Sequence, residues 1–317
     1  MFDLQELKAA HELVRGAMSP TAQIAWPLLA ERTGCEVWVK HENHTPIGAF
    51  KVRGGLIWMD ARLGGDTRPR GIVSATRGNH GQSLAFAARR AGLPLVICVP
   101  EGNSVEKNAA MRAFGAELVE SGHDFEAARE KAREISEERG LEMVPSFHRD
   151  LVLGVATYAL ELFGEAGEID AVYCPIGLGS GLCGIIRARD LLGLKTEVIG
   201  VVTRGAPAYA LSYEARRVVS TPSSDTLADG MATRVPDPDA LDIILGGAAR
   251  IVTVNDEEIA EAVRIYYSDT HNLAEGAGAA ALAALLQERE RQQGRRIGVI
   301  LSGGNIDRGL YLKLLQG

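Results

Sequence analysis

Short apolar runs alternate with longer amphipathic stretches along most of this 317-residue chain. Gly71–Ala75, Leu95–Val99, Ala171–Ile176, Glu197–Thr203 and Ile297–Leu301 are nearly continuous in apolar residues, and Cys35–Lys40 and Ala116–Glu120 also read as strands. Apolar runs without polar alternation predict strands covered on both faces, as in parallel sheets. Helical spacing appears over residues 3–16, where Leu4, Leu7, His11 and Val14 share a face. It recurs over 80–91, 104–114, 124–139, 151–163, 183–192, 256–267 and 275–290, with Gly115 placed to cap the second of these. Alternating strands and helices predict an α/β fold whose strand-end loops gather along one sheet edge. Residues 204–248, rich in Pro, Ser and Asp, read as an irregular surface excursion near that edge.

Composition adds boundaries. The chain is long enough for one large domain or two moderate ones sharing a cleft. Its 46% hydrophobic and 24% charged residues suit a globular protein, and a net charge of -7 offers no general attraction to nucleic acid. Cys35, Cys98, Cys174 and Cys183 form no CxxC pair and lack a His at metal-ligand spacing, so reduced buried thiols are expected. No apolar run nears the roughly 20 residues that span a bilayer. The first residues carry no apolar leader, so a cytoplasmic protein without membrane partners is expected. Lysine is scarce, being confined to Lys8, Lys40, Lys51, Lys107, Lys131, Lys195 and Lys313.

Four clusters could carry chemistry. Thr45-Pro46-Ile47-Gly48-Ala49-Phe50-Lys51-Val52-Arg53-Gly54-Gly55 puts a lysine at a helix start after a turn. Helix dipole and burial both disfavour its ammonium form, as an imine-forming amine requires, although a lysine reaching from a surface helix has the same pattern. Thr76-Arg77-Gly78-Asn79-His80-Gly81-Gln82 joins a strand to a helix, where free N–H groups suit a carboxylate, or where the turn is merely capped. Gly177-Leu178-Gly179-Ser180-Gly181 follows another strand and can wrap a phosphate. Gly179–Gly184 also matches GxGxxG, which raises an NAD-dependent dehydrogenase, yet the next strand ends in Thr203-Arg204 without the expected carboxylate. Ser302-Gly303-Gly304-Asn305 follows the last strand and would alone be a turn.

In this order the clusters resemble the serine/threonine dehydratase family of fold-type-II pyridoxal-phosphate enzymes, the group related to tryptophan synthase β. The likeness runs from about residue 18 to 309. It implies two parallel-sheet αβα domains with the cofactor, pyridoxal 5'-phosphate, in the cleft between them. Residues 1–70 and 149–317 would form the large domain and 71–148 the small one. Lys51 would hold the cofactor aldehyde as an imine and act as general base, with Phe50 against the ring. Gly177, Gly179, Ser180 and Gly181 would cradle the phosphate, and Ser302 would face the pyridine nitrogen. Thr76, Gly78, Asn79 and His80 would line the substrate carboxylate site, Asn79 also reaching the ring hydroxyl. A hydroxyl partner for the ring nitrogen weakens the electron sink and suits loss of a β leaving group. The expected reaction removes the β-hydroxyl of a small amino acid such as L-threonine or L-serine, giving a 2-keto acid and ammonia.

Departures from the family pattern carry their own expectations. Arg77 stands where racemising relatives have a small hydroxyl residue, which argues against efficient racemisation. Its planar fork could pair with a second substrate carboxylate, which raises β-hydroxyaspartate as a rival substrate, with phenylserine-type compounds also open; equally, it could face solvent. The family's divalent-cation acids fall at Val202 and Ala208, so no metal site is expected there. Few residues follow the SGGN motif, and no C-terminal regulatory domain is expected. Glu275, before an Ala-rich helix, would lie near the cofactor or simply cap the helix. His148 and Asp150 would sit near the domain hinge. A β-replacement enzyme is disfavoured, since such relatives usually carry TSGNT where this chain has TRGNH. A homodimer is the expected assembly.

Overall fold

The apolar runs pair into two sheets, as their lack of polar alternation requires. The computed structural model describes residues 1–65 and 67–317. In chain order the elements are α1 (Leu4–Arg15), β1 (Gln23–Ala25), α2 (Pro27–Thr33), β2 (Glu36–His41), α3 (Lys51–Leu63), β3 (Ile72–Ala75), α4 (Asn79–Ala91) and β4 (Leu95–Val99). Next come α5 (Val105–Ala113), β5 (Glu117–Glu120), α6 (Phe125–Arg139), β6 (Glu142–Met143), α7 (Arg149–Glu165), β7 (Ala171–Pro175), α8 (Ser180–Leu191) and β8 (Glu197–Thr203). The chain closes with α9 (Ala208–Ala215), α10 (Pro238–Gly247), β9 (Arg250–Val254), α11 (Asp256–Ile265), α12 (Gly276–Gln287), β10 (Arg296–Leu301) and α13 (Arg308–Gln316).

The larger sheet has the order β1-β2-β10-β7-β8-β9 and the smaller β5-β4-β3-β6. All pairings are parallel except β1 against β2, an antiparallel edge of three residues that the apolar pattern does not signal. Apolar clusters cover both faces of each sheet. Val172, Val198 and Ile300 face one side of the larger sheet, while Tyr173, Ile199 and Val299 face the other. The smaller sheet does the same with Ile72 and Ile97 opposite Val73 and Val96. Helix α3 serves both layers, giving Val52 and Leu56 to the larger core and Trp58 and Met59 to the smaller.

β10 inserts between β2 and β7, so three adjacent parallel strands end on one edge. Their loops carry the approach to Lys51, the Ser302 turn and the Gly177–Gly181 turn. The bridge Ala49–Gly303 and the 3.0 Å bond from Phe50 N–H to Ser302 O stitch the first two together. Adjacent strands β3 and β4 bring Thr76 and the 100–104 turn to the facing edge.

A buried charge cluster fixes α3. Arg53 donates to both Glu42 oxygens (2.8 and 2.9 Å) and to both Glu161 oxygens (2.8 Å each). Lys40 Nζ completes it at 2.6 Å from Glu161 Oε2 and 2.9 Å from Thr21 O. Two cations and two carboxylates balance in a place that excludes water. Close glycines let the helices meet: a Cβ on Gly154 would lie 2.2 Å from Arg53 O.

The structure corrects the reading of 204–248. That stretch holds α9 and α10, and it buries Tyr209, Ala240, Leu241 and Ile244 in the larger core. Its Pro and Asp residues cap helices, as Asp237 does for α10 by accepting from Asp239 and Ala240 N–H. Strands β6 and β9 and helices α2 and α13 were also not predicted, and α8 begins at Ser180, earlier than 183, because its glycines mask its first turn. Helix α11 ends at Ile265 and runs into a π turn over Tyr266–Thr270.

Replacing Arg53 with Met leaves Glu161 buried against Lys40 and Glu42 buried with no cation partner. We expect a loss of about 3–5 kcal/mol in urea unfolding of the cofactor-saturated protein, against under about 1 kcal/mol for exposed Arg129→Met.

Candidate active site

Lys51 opens α3, and its amine lies where the two layers meet. Nζ donates to Ser180 Oγ at 3.2 Å and sits 5.1 Å from the centre of the Phe50 ring. Burial strips the ammonium of water and pushes its pKa down to about 8. An amine so poised is neutral in a useful fraction of molecules near neutral pH, as imine formation and proton abstraction require. Burial, followed by the nearby Lys51 charge, pushes His80 down to about 3. Its imidazole is therefore neutral, and Nε2 is buried with no partner among the described residues.

The Gly177–Gly181 loop leads from β7 into the N-terminus of α8, a helix of 12 residues. A Cβ on Gly177 would lie 2.4 Å from Gly230 O, and Gly179 holds a φ of +100° that other residues rarely adopt. With side chains excluded, N–H groups can converge on an anion there. Tyr158 OH donates to Gly181 O (3.1 Å) and Tyr209 OH to Leu178 O (2.9 Å), which holds the loop from behind. The loop fits a phosphate, and Lys51 stands one hydrogen bond away, where it fits an aldehyde. The donors present thus suit pyridoxal phosphate.

On the facing layer, the buried Thr76 hydroxyl accepts from Gly78 N–H (3.0 Å) and Gly81 N–H (3.3 Å), shaping the start of α4. Asn79 Nδ2 donates to Glu275 Oε1 at 2.6 Å, and Asn79 Oδ1 accepts from Asn305 Nδ2 at 2.8 Å. Asn305 also donates to Ile47 O at 2.8 Å. Ser302 is buried beside Phe50 through the backbone bond already described. Arg77 is exposed and makes no ion pair among the described residues. It lines an open cleft of about 220 Å³ with Asn103, Ser104, His123 and Asp229.

Of the residues expected from the sequence, Phe50, Lys51, Ser180 and Ser302 therefore meet on the larger layer, with His80 near enough to feel the Lys51 charge and Asn79 tied across to Glu275 and Asn305. Glu275 reaches Asn79 rather than only capping α12, since its side chain makes no cap bond. Sequence reasoning missed Tyr158, Tyr209, Lys107 and Asp229, whose local sequence shows no motif. It placed Asn305 in a motif but gave it no role. His148 caps α7 by accepting from Asp150 N–H, after the last strand of the smaller sheet.

The pyridoxal-phosphate dependent enzyme family matches residues 14–303. The L-threonine ammonia-lyase of Thermotoga maritima is 33% identical over 308 residues, 97% of this chain and 76% of that one. The L-threo-3-hydroxyaspartate ammonia-lyase of a Pseudomonas species is 31% identical over 98% of this chain and 97% of its own. The crystal structure of a threonine deaminase from T.th. superposes with a TM-score of 0.90 at 32% identity, covering 96% of this chain and 99% of that one. The chain belongs to the pyridoxal-phosphate dependent enzymes. Within them it falls in the serine/threonine dehydratase group, as a pyridoxal-phosphate dependent ammonia-lyase of fold type II. The dehydrogenase alternative is thereby set aside.

The Lys51 shift carries a stability signature. Its folded pKa lies below its unfolded value of 10.5, so the unfolded chain holds more protons between about 8 and 10.5. The penalty is complete below that window and vanishes above it. Cofactor-free Lys51→Met is expected to exceed the cofactor-free parent by about 2 kcal/mol at pH 7 in urea unfolding, the gap closing above pH 10.

Proposed function

We propose that this enzyme removes the β-hydroxyl group of a small β-hydroxy amino acid, L-threonine or L-serine, to yield a 2-keto acid and ammonia. The observation that carries the reading is the Lys51 amine, desolvated and one hydrogen bond from the phosphate-loop Ser180. Bound in this cleft, pyridoxal phosphate supplies an electron sink for the α-carbon. Gly177, Gly179, Ser180 and Gly181 would hold its phosphate, Phe50 would lie against its ring and Ser302 would serve its nitrogen. Thr76, Gly78, Asn79 and His80 place the substrate carboxylate at the start of α4. With the cofactor bound, Lys51 Nζ would be the group that takes the α-proton. The Cα–H and Cβ–O bonds break, water leaves, and the freed enamine hydrolyses to keto acid and ammonia. Neutral His80 cannot cancel the carboxylate charge, so binding there relies on N–H groups and the helix dipole.

Arg77 favours a second reading of the substrate. An unpaired guanidinium on the wall of a polar cleft suits a substrate with a distal carboxylate, such as β-hydroxyaspartate. One relative is named for that substrate and another for L-threonine. Residues 71–148 are proposed to form the smaller domain, and the working unit is proposed to be a cytoplasmic homodimer. Among the described residues no helix is long and apolar enough to cross a membrane.

Borohydride treatment of the purified yellow protein followed by peptide mapping should place the cofactor on Lys51; a colourless protein, or full activity in Lys51→Ala, sinks the reading. A panel of β-hydroxy amino acids assayed for keto acid and ammonia ranks the substrates. If Arg77 reads a distal carboxylate, Arg77→Ala should lose about tenfold or more in kcat/KM for β-hydroxyaspartate while threonine changes less than about threefold. An unchanged ranking returns Arg77 to solvent.

A further inference from the structure

Lys107, which the reaction outlined above does not use, stands on α5 of the smaller layer with its side chain only 6% exposed. Its ammonium lies 2.6 Å from Asp229 Oδ2 and 3.2 Å from Glu275 Oε2, both on the larger layer. Its methylenes lie over the substrate loop so closely that a Cβ on Gly78 would meet Lys107 Cδ at 2.4 Å. The same helix grips the larger layer at its start. There Asp307 Oδ1 accepts from Ser104 Oγ (2.5 Å) and Glu106 N–H (3.3 Å), while Arg308 N–H donates to Glu106 Oε1 (2.9 Å).

We propose that Lys107 is a positioning residue that acts through Glu275 to fix the side-chain amide of Asn79, and that it clasps the two layers over the site. This rests on the reading that Asn79 touches the cofactor and substrate. The amide has two possible orientations, and the neighbours choose one. Asn305 Nδ2 donates to Asn79 Oδ1, so Asn79 Nδ2 must face an acceptor, and Glu275 Oε1 is that acceptor. A protonated Glu275 could offer its O–H to Asn79 instead. The flipped amide would then set Nδ2 against the Asn305 amide, donor against donor. Only an ionised Glu275, which offers acceptors alone, excludes the flipped amide.

The groups facing Glu275 are Lys107 from α5, Asp229 from the turn before α10, Asn79 from α4 and the Gly303 backbone after β10. Burial pushes the Glu275 carboxyl up and the Asp229 charge adds to this, while Lys107 and Asn79 pull it down. Lys107 is the one cation in the set. The two acids in turn hold Lys107 above the usual lysine range despite its burial. Separating the layers breaks both ion pairs and uncovers Gly78.

The test uses holoenzyme Lys107→Met, Lys107→Arg and Asp229→Asn, each followed by the visible absorbance of the bound cofactor against pH without substrate, and by kcat/KM against pH. Lys107→Met should shift the acid-side transition in both readouts upward by about a unit or more and cost about tenfold in kcat/KM at pH 7. Lys107→Arg should restore the parental transition. Asp229→Asn, which removes the like charge and keeps the cation, should shift it downward. Acid-side transitions that stay within about 0.3 units of the parent in both Lys107→Met and Asp229→Asn would overturn the proposal. If Lys107→Met does not fold, the direction of the Asp229→Asn shift decides alone. The absorbance titration needs no turnover, so a wild-type enzyme inactive on every β-hydroxy amino acid would sink the reaction while leaving Lys107 to be judged separately.

Discussion

Everything in the cleft depends on one buried cluster of charge, Arg53 between Glu42 and Glu161 with Lys40 beside them. Removing four ionised groups from water is costly, and the cost is offset only when each meets its partners in good geometry. Lys40 and Glu42 bracket the end of β2, Arg53 sits in the first turn of α3, and Glu161 lies on α7. These elements therefore have one acceptable arrangement. Lys51, two residues before Arg53, inherits its place from that arrangement. The Lys51 amine is aimed by a neighbour buried in the scaffold.

Three lysines show how partners, as well as burial, decide what a lysine does. Lys51 faces Ser180, Phe50 and Cys174 and makes no ion pair among the described residues, and burial drives its pKa down. Lys107, more enclosed than Lys51, faces two carboxylates and is driven up. Lys40 lies wholly buried against Glu161 and serves the scaffold. The site keeps its free charge low where chemistry needs a neutral amine, and it places paired charge where parts must be held. Neutral His80 extends the same logic to the carboxylate side.

Sheet topology does the remaining placement. Inserting the last strand, β10, between β2 and β7 brings three loops from distant parts of the chain to one edge. The smaller sheet brings its own adjacent strand ends, Thr76 and the 100–104 turn, together, and the turn and Arg77 border a cleft with Asp229 of the larger layer. Helix α3 packs into both cores, so the lysine at its start sits at the seam.

The sequence by itself determined the alternation of strand and helix, because fully covered strands must be apolar throughout and helices must show one apolar face. It also determined the family, since the motifs around Lys51, Asn79, the glycine loop and Ser302 come in a specific order that few folds share. Only the tertiary structure decided which separated residues meet. Tyr158, Tyr209, Lys107 and Asp229 act through contacts spanning many residues, and nothing in their local sequence marks them. The helices of 204–248 were hidden for a related reason: Pro and Asp read as loop signals until the buried faces of α9 and α10 show them to be caps. The state of Lys51 belongs to the same class. A helix-start lysine can be solvated or desolvated, and its setting between two layers, which no local pattern encodes, makes it the second.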